Sequence, residues 1–286
     1  MVSGLQRVRS GSSVEKELQK LQNQAQGDPE YARALAAIRY YLHCVIWQCQ
    51  VRWKKRAAGV TNYKTLLNQI RHYRKEQEDV CLVTFNYDTL LEEAVGATPL
   101  NIEIRTFSDY IASHYRIIKL HGSVDWAHEV VTPLEKIASS QPWDIVNELI
   151  NKVATLEFSE IYRMVDGIPM ARFEGKGLFP ALAIPVETKH RYECPDLHVH
   201  ELDECIPEVN RLLVIGWRGT EENFVQQLAK NLKGTPQGMV VSSGQISAKS
   251  LIGRLGQSGV RADFSAFSGG FSDFIASPEL EEFLKT

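Results

Sequence analysis

Residues that could do chemistry fall at particular points of this chain. Asn86 and Asp88 come just after the apolar run "VCLVTF", and His121 and Gly122 close the run "RIIKLHG". Gly216, Arg218, Gly219 and Thr220 follow "RLLVI", and Ser242, Ser243 and Gly244 follow "GMVV". A His before a Gly allows an exposed imidazole with close backbone approach, and imidazole titrates near neutrality. Two Gly and a Thr ahead of a helix offer peptide N–H groups to an anion. Glu221 and Glu222 in that same turn compete with a phosphate. Each position also has a plainer reading. Asn86 and Asp88 can cap a helix starting at Thr89, His121 can be a satisfied core histidine, and "GWRGTEEN" can be a simple turn.

The elements that must position these groups are short apolar runs. "VCLVTF", "RIIKLHG", "ALAIP" (181–185), "RLLVIGW" (211–217) and "GMVVSS" (238–243) show no polar alternation. Such runs suit strands covered on both faces, as in a parallel sheet. Helical patterns lie between them, at Thr89–Val95, Ser108–His114, Thr220–Leu232 and Ser247–Gly256. Strands alternating with helices predict an α/β, Rossmann-like, doubly wound and mostly parallel sheet. Open parallel sheets bind ligands outside the carboxyl ends of their strands. Four of the five expected strand ends carry reactive residues while the strand interiors are apolar, so the clustering says more than any single position.

Ahead of this core, residues 1–78 read as a helical region. Ser12 and Glu15 have capping-box spacing. Leu35, Ile38, Leu42, Ile46, Cys49 and Trp53 recur at three and four on one helix face. Thr61 or Asn62 caps a third helix with Tyr63, Leu67, Ile70 and Tyr73 inward. The core occupies 79–126 and 178–260, residues 127–177 form a partly helical insertion, and 261–286 is a closing segment of loop and short helix. All belong to a single domain of residues 1–286.

Several function classes are set aside. The net charge of -3 favours neither nucleic acid nor acidic membranes. The basic stretches "VRWKKR" and "RHYRK" read as solvated helix faces rather than nucleic-acid contacts. Five Cys without a secreted spacing predict a reducing compartment, and no apolar signal segment opens the chain. Cys194, His198, His200 and Cys205 are close in sequence but lack the Cys-x-x-Cys pairing of zinc sites, so no metal is expected. There is no Gly-x-Ser-x-Gly elbow and no Walker-type lysine loop.

The ordered set "TFNYD", "KLHGSVDW", "LLVIGWRGTEEN" and "VVSS" resembles the sirtuin-like family of NAD-dependent enzymes, in particular a bacterial branch found in antiphage defence proteins. Thr84, Asn86 and Asp88 match the Thr-x-Asn-x-Asp pattern, and His121 and Gly122 match its His-Gly. Gly216, Trp217 and Arg218 match the Gly-Thr/Ser-Ser strand end only loosely. The match spans roughly residues 79 to 260. The resemblance implies NAD as substrate, bound across the strand ends and hydrolysed to nicotinamide and ADP-ribose. It implies catalytic roles for Asn86 and His121 with Asp88 in support. It also implies a dinucleotide site lined by Thr84, Phe85, Gly122, Gly216, Arg218, Gly219, Ser242 and Ser243. Partners expected besides NAD are a second copy or a defence-system protein, in the cytoplasm, with neither membrane nor nucleic acid.

The departures define a second reading. Phe85 stands where deacylases of the family carry Gln, and their paired Cys-x-x-Cys ligands are absent. The family's opening strand and Gly-Ala-Gly-x-Ser loop are missing too. "RSGSSVEKEL" offers Gly11, Ser12 and Ser13 with no apolar strand before them. The expectation is either a truncated amino end or a degenerate site, and the alternative function is an inactive sirtuin-like assembly module.

Overall fold

The computed structural model describes residues 13–57, 61–111, 114–132, 141–167, 172–173, 176–186 and 191–285. Three helices come first: α1 (Val14–Ala25), α2 (Pro29–Ala57) and α3 (Asn62–Tyr73). Ser13, not Ser12, caps α1, with its Oγ accepting the Lys16 N–H at 3.1 Å; Ser12 lies outside the described residues. Of the two cap candidates for α3, Thr61 is the cap, accepting the Lys64 N–H at 3.2 Å, and Asn62 is the first helical residue.

The long helix corrects one expectation. Of the face Leu35 to Trp53, Ile38 is fully buried, but Cys49 is exposed and Trp53 is 52% exposed. Spacings of three and four alternate along this stripe and cancel their drift, so Leu35 and Trp53 do share one face. Helix α1 covers the amino-terminal part of that face, where Leu35, Ile38 and Leu42 cluster with Leu18 and Leu21. Ala36 and Tyr40 pack with Ile145, Leu149 and Phe179, and His43 and Gln50 are buried further along the helix.

The remaining elements, in chain order, are β1 (Val80–Thr84), α4 (Leu90–Gly96), β2 (Tyr115–Lys119), β3 (Gly122–Val130), α5 (Pro142–Lys152), β4 (Phe158–Met164), β5 (Arg172–Phe173) and β6 (Lys176–Leu182). They continue with α6 (Asp196–Cys205), β7 (Arg211–Ile215), α7 (Glu222–Asn231), β8 (Gln237–Val241), α8 (Gln245–Gln257), β9 (Asp263–Phe267), α9 (Gly270–Ile275) and α10 (Pro278–Lys285). The stretch expected as helix at 108–114 is a 3-10 turn, Phe107–Ile111.

The chain is mixed α/β, and its parallel strands lie in two pieces. β1 and β2 pair in parallel, from Val80 beside Tyr115 to Thr84 beside Lys119. β7, β8 and β9 form a second parallel sheet. Between them in sequence, β4, β3, β6 and β5 form an antiparallel sheet. "ALAIP" is therefore not a parallel strand: Ala181 and Leu182 end β6, which runs antiparallel to β3. An apolar run records burial on both faces, not the direction of its neighbour, so its sequence could not separate the two cases. The boundary expected at residue 127 falls inside β3, and "DFSAF", expected as loop, is β9. One apolar cluster runs through both parallel sheets, joining Ile117, Ile118 and Leu120 to Val214, Val240, Phe224 and Leu228.

Candidate functional site

Register puts the ends of β1 and β2 side by side, because Thr84 and Lys119 are partners. Phe85, next after Thr84, lies 4.9 Å from the His121 ring between centroids. It stacks on Trp217, just past β7, at 5.6 Å and 14°, and meets Phe224 of α7 edge-on at 5.4 Å. Tyr87 lies 6.2 Å from His121 on another side. The carboxyl ends of β1, β2 and β7 thus converge on one aromatic cluster with His121 inside it, only 5% exposed. The His121 Nε2 is 3.9 Å from Glu221 Oε1. Glu221 Oε2 accepts the Trp217 Nε1–H at 2.5 Å and the Thr220 hydroxyl at 3.2 Å. An acidic group fixed by two donors therefore faces the imidazole.

Asn86 and Asp88 separate into different roles. The Asn86 N–H donates to Thr84 Oγ1 at 3.1 Å, and its side-chain Nδ2 donates to the Tyr63 hydroxyl at 3.0 Å. Burial, and then the Asp88 charge, push the Tyr63 phenol up, so it keeps its proton. The Asn86 residue is exposed, and its amide oxygen has no hydrogen-bond partner among the described residues. Asp88 does the capping work: its Oδ1 accepts the Leu90 N–H at 3.1 Å at the start of α4.

The Asp88 carbonyl is held from the core. Lys119 Nζ donates to it at 2.5 Å and to Glu92 Oε1 at 2.7 Å, with the lysine side chain 0% exposed. Burial raises the Glu92 carboxyl, and Lys119 opposes that shift. A buried charge pair is retained only with such hydrogen bonding, and here it ties β2 to the turn that carries Asn86. On the far side of β2, His198 Nδ1 accepts the Lys119 N–H at 3.1 Å.

Gly122 is needed for close approach. Its φ is +82°, and a Cβ there would stand 1.9 Å from the Ala181 carbonyl oxygen. Only glycine lets β2 turn into β3 against β6 at this point.

The ends of β7 and β8 look different. Gly216 also has a left-handed φ, +65°, but nothing lies within 4 Å of where its Cβ would be. The Arg218 side chain is 81% exposed, 4.0 Å from Glu15 at the start of α1, and Arg254 donates to its carbonyl at 3.0 Å. Gly219 is buried against Leu251. The Ser242 N–H donates to Phe267 O at 2.9 Å, and its carbonyl accepts the Gly270 N–H at 2.9 Å. Ser243 is exposed.

The structure therefore brings Phe85, His121 and the Trp217–Glu221 turn together, sets Asn86 against Tyr63, and leaves Arg218 and Ser243 on an open face. Sequence reasoning missed Lys119, Glu92 and Tyr63. A signal was there for Lys119, since a lysine inside the apolar run "IIKL" is a buried charge needing a partner. The Cys/His group along α6 is spread apart: His198 serves Lys119, His200 is exposed, and Cys205 faces Arg116 at 3.1 Å.

No protein-family model matches this chain, and no curated protein matches it either.

Proposed function

We propose that the chain is a sirtuin-like domain that binds NAD and hydrolyses it to nicotinamide and ADP-ribose. The observation that carries this reading is the convergence of the β1, β2 and β7 ends around His121, with Glu221 at 3.9 Å. In this reading a water oxygen bonds to the ribose anomeric carbon as the bond to nicotinamide breaks. His121 takes the proton of that water, and the free amide oxygen of Asn86 orients it. Positive charge builds on the sugar in the transition state, and Glu221 supplies opposite charge nearby. Asp88 supports by fixing the turn, and Lys119 is a positioning residue behind it.

The residues at the β7 and β8 ends fit the rest of a dinucleotide. Gly216 leaves open space beside the backbone, and Arg218 offers an exposed guanidinium to a diphosphate. Thr84, Phe85, Gly122, Gly219, Ser242 and Ser243 complete the expected lining, and the doubly wound sheet belongs to this proposal as well. Glu221 argues against a phosphate close to His121, so the diphosphate belongs at Arg218. The setting proposed is the bacterial cytoplasm, in antiphage defence.

Nicotinamide release from NAD by this 286-residue chain is the test. Asn86→Ala and His121→Ala are each expected to lower the rate about 100-fold or more. Rates equal to the unsubstituted chain would remove both residues from the chemistry.

A second reading, an inactive assembly module, is favoured by one observation. Tyr41, Val45, Cys49 and Trp53 form an exposed stripe along α2, with Tyr41 63% and Trp53 52% exposed. In that case sedimentation gives an oligomer that Trp53→Glu dissociates, and calorimetry with NAD gives no heat.

A further inference from the structure

A cluster with no part in the proposed hydrolysis lies where α6 packs over β1 and β2. Cys81 and Arg116 are register partners on these two strands. Side chains of such partners stand on the same face of a sheet, about 4.8 Å apart. The Arg116 side chain meets α6 on that face. Its Nη1 donates to Cys205 Sγ at 3.1 Å, and its Nε lies 3.5 Å from Glu201 Oε2. Glu201 and Cys205 are four residues apart on the helix, so both point at the same arginine. Cys81 rises from β1 toward the same spot, and its thiol donates a hydrogen bond to the Cys205 sulfur. Helix α6 is fixed in this position: two turns earlier His198 Nδ1 accepts the Lys119 N–H at 3.1 Å, and Leu202 is buried in one cluster with Ile117 and Ile118. The two sulfurs therefore meet in the folded chain as it stands.

The two sulfurs are chemically unlike. Cys205 ends α6, where the helix dipole opposes a negative charge, and Glu201 opposes it as well. A guanidinium in contact with the sulfur outweighs both, because an adjacent cation favours the thiolate. The hydrogen bond from Cys81, and then the one from Arg116, bring the Cys205 thiol down from 9.0 to about 6 against burial. Cys81 moves up, first because it donates to Cys205 and then by burial. Cys205 is thus the thiolate, and Cys81 is the thiol that faces it. The other cysteines differ. Burial pushes the thiols of Cys44 and Cys194 up, Cys194 to about 12, and Cys49 is exposed on α2. Cys205 is 7% exposed, but the Arg116 side chain is 26% exposed and Cys81 only partly buried, so the cluster opens to solvent.

We propose that Cys81 and Cys205 form a peroxide-reactive pair, with Cys205 as the nucleophile, Cys81 as the resolving thiol and Arg116 as the cation that holds the thiolate. The co-reactant is a hydroperoxide. The Cys205 sulfur attacks its terminal oxygen, a sulfur–oxygen bond forms, and the oxygen–oxygen bond breaks. Cys205 becomes a sulfenic acid, and the departing oxygen takes a proton from water and leaves as an alcohol, or as water from hydrogen peroxide. The Cys81 sulfur then attacks the Cys205 sulfur. The disulfide bond forms, the sulfur–oxygen bond breaks, and the hydroxide leaves as water with the Cys81 proton. The two thiols have lost two electrons and the peroxide has gained them. The bridge ties β1, the strand that leads into the Asn86 turn, to α6. The inference rests on this cluster and stands whether or not NAD is cleaved.

The experiment exposes the whole chain at pH 7 to an equal concentration of hydrogen peroxide for increasing times. Free thiols are then blocked with iodoacetamide, and the chain is mapped by proteolysis and mass spectrometry. The expected product is a Cys81–Cys205 cross-linked peptide, two hydrogens lighter than the separate pair. It should form about tenfold or more faster than Cys44, Cys49 or Cys194 is oxidised, and dithiothreitol should restore both thiols. Cys81→Ser should halt the reaction at the Cys205 sulfenic acid, captured by dimedone. Arg116→Gln should slow oxidation of Cys205 about tenfold, since it removes the cation beside the thiolate. Three outcomes would each overturn the proposal: oxidation of Cys205 no faster than of Cys49, a cross-link that joins other cysteines in place of this pair, or the same cross-linking rate in a chain unfolded by urea. All the readouts are on thiols, so nicotinamide release decides only the functional reading.

Discussion

The two parallel sheets end in opposite kinds of surface. At the β1 and β2 ends the chain is closed and stiff: His121 lies under aromatic rings, Lys119 is fully buried with Glu92, and Gly122 presses on a carbonyl. At the β7 and β8 ends it is open: Gly216 borders free space, Arg218 reaches into solvent, and Ser243 is exposed. The buried polar side chains follow the same division. They lie on α2, α4, β2, β3 and α6 or directly beside them, and none among the described residues lies on β7, β8 or β9. A closed polar site is costly to build and keeps a reacting group fixed in a dry, low-dielectric place. An open glycine turn costs little and admits a long ligand. Under the proposed hydrolysis of NAD, the chemistry falls at the closed sheet and the rest of the dinucleotide lies along the open one.

Lys119 is the strongest lever on this contrast. Lys119→Met leaves Glu92 buried without its cation, a change that typically costs about 3–5 kcal/mol. Adding Glu92→Met should restore much of that loss, because a well-packed apolar pair can replace a buried ion pair. Urea unfolding of the two single variants and the double variant measures the coupling. A loss below about 1 kcal/mol for Lys119→Met would mean that the closed end is not held by this pair. Next comes a matched pair of glycines. Gly122→Ala adds a Cβ at 1.9 Å from a carbonyl as well as a left-handed residue. It should cost about 2–5 kcal/mol from strain and overpacking together. Gly216→Ala meets only the left-handed penalty, about 1–2 kcal/mol. Equal losses in thermal unfolding would show that the two turns are not as different as their surroundings imply.

Much of this arrangement could be read from residue types, and the unread part has physical causes. Val80–Thr84, Arg211–Ile215 and Gln237–Val241 were legible because a strand covered by helices must be apolar on both faces. The start of α3 was legible to within one residue, at Thr61 or Asn62, because a polar side chain ahead of a helical pattern has free N–H groups to accept from. Strand direction was not legible, so Ala181–Leu182 was placed in the wrong sheet. β9 was hidden because Asp263 and Ser265 make it look like loop, as an edge strand often does. Asn86 and Asp88 could not be told apart by type, since both can cap and both can bind. Only the bond from the Leu90 N–H to Asp88 and the contact of Asn86 with Tyr63 separate them.

His198 offers the finest test of the closed half. Its Nδ1 accepts the Lys119 N–H, so its proton sits on Nε2, which has no partner among the described residues. Burial, and then the charge of Lys119, lower its pKa from 6.5 to about 3. A group whose folded pKa is depressed in this way binds fewer protons folded than unfolded. Stability is then fully present above pH 6.5 and is lost as the pH falls toward 3. One unit below the unfolded value, near pH 5.5, the loss from this residue is about 1.4 kcal/mol. His198→Asn keeps an acceptor near Nδ1 and removes the titration, so its unfolding free energy should fall less steeply between pH 6.5 and 5. Parallel pH curves for the two proteins would mean that His198 protonates as easily folded as unfolded, and that water reaches the core beneath β2. A flatter curve for the variant would put His198 inside the dry part of the closed half.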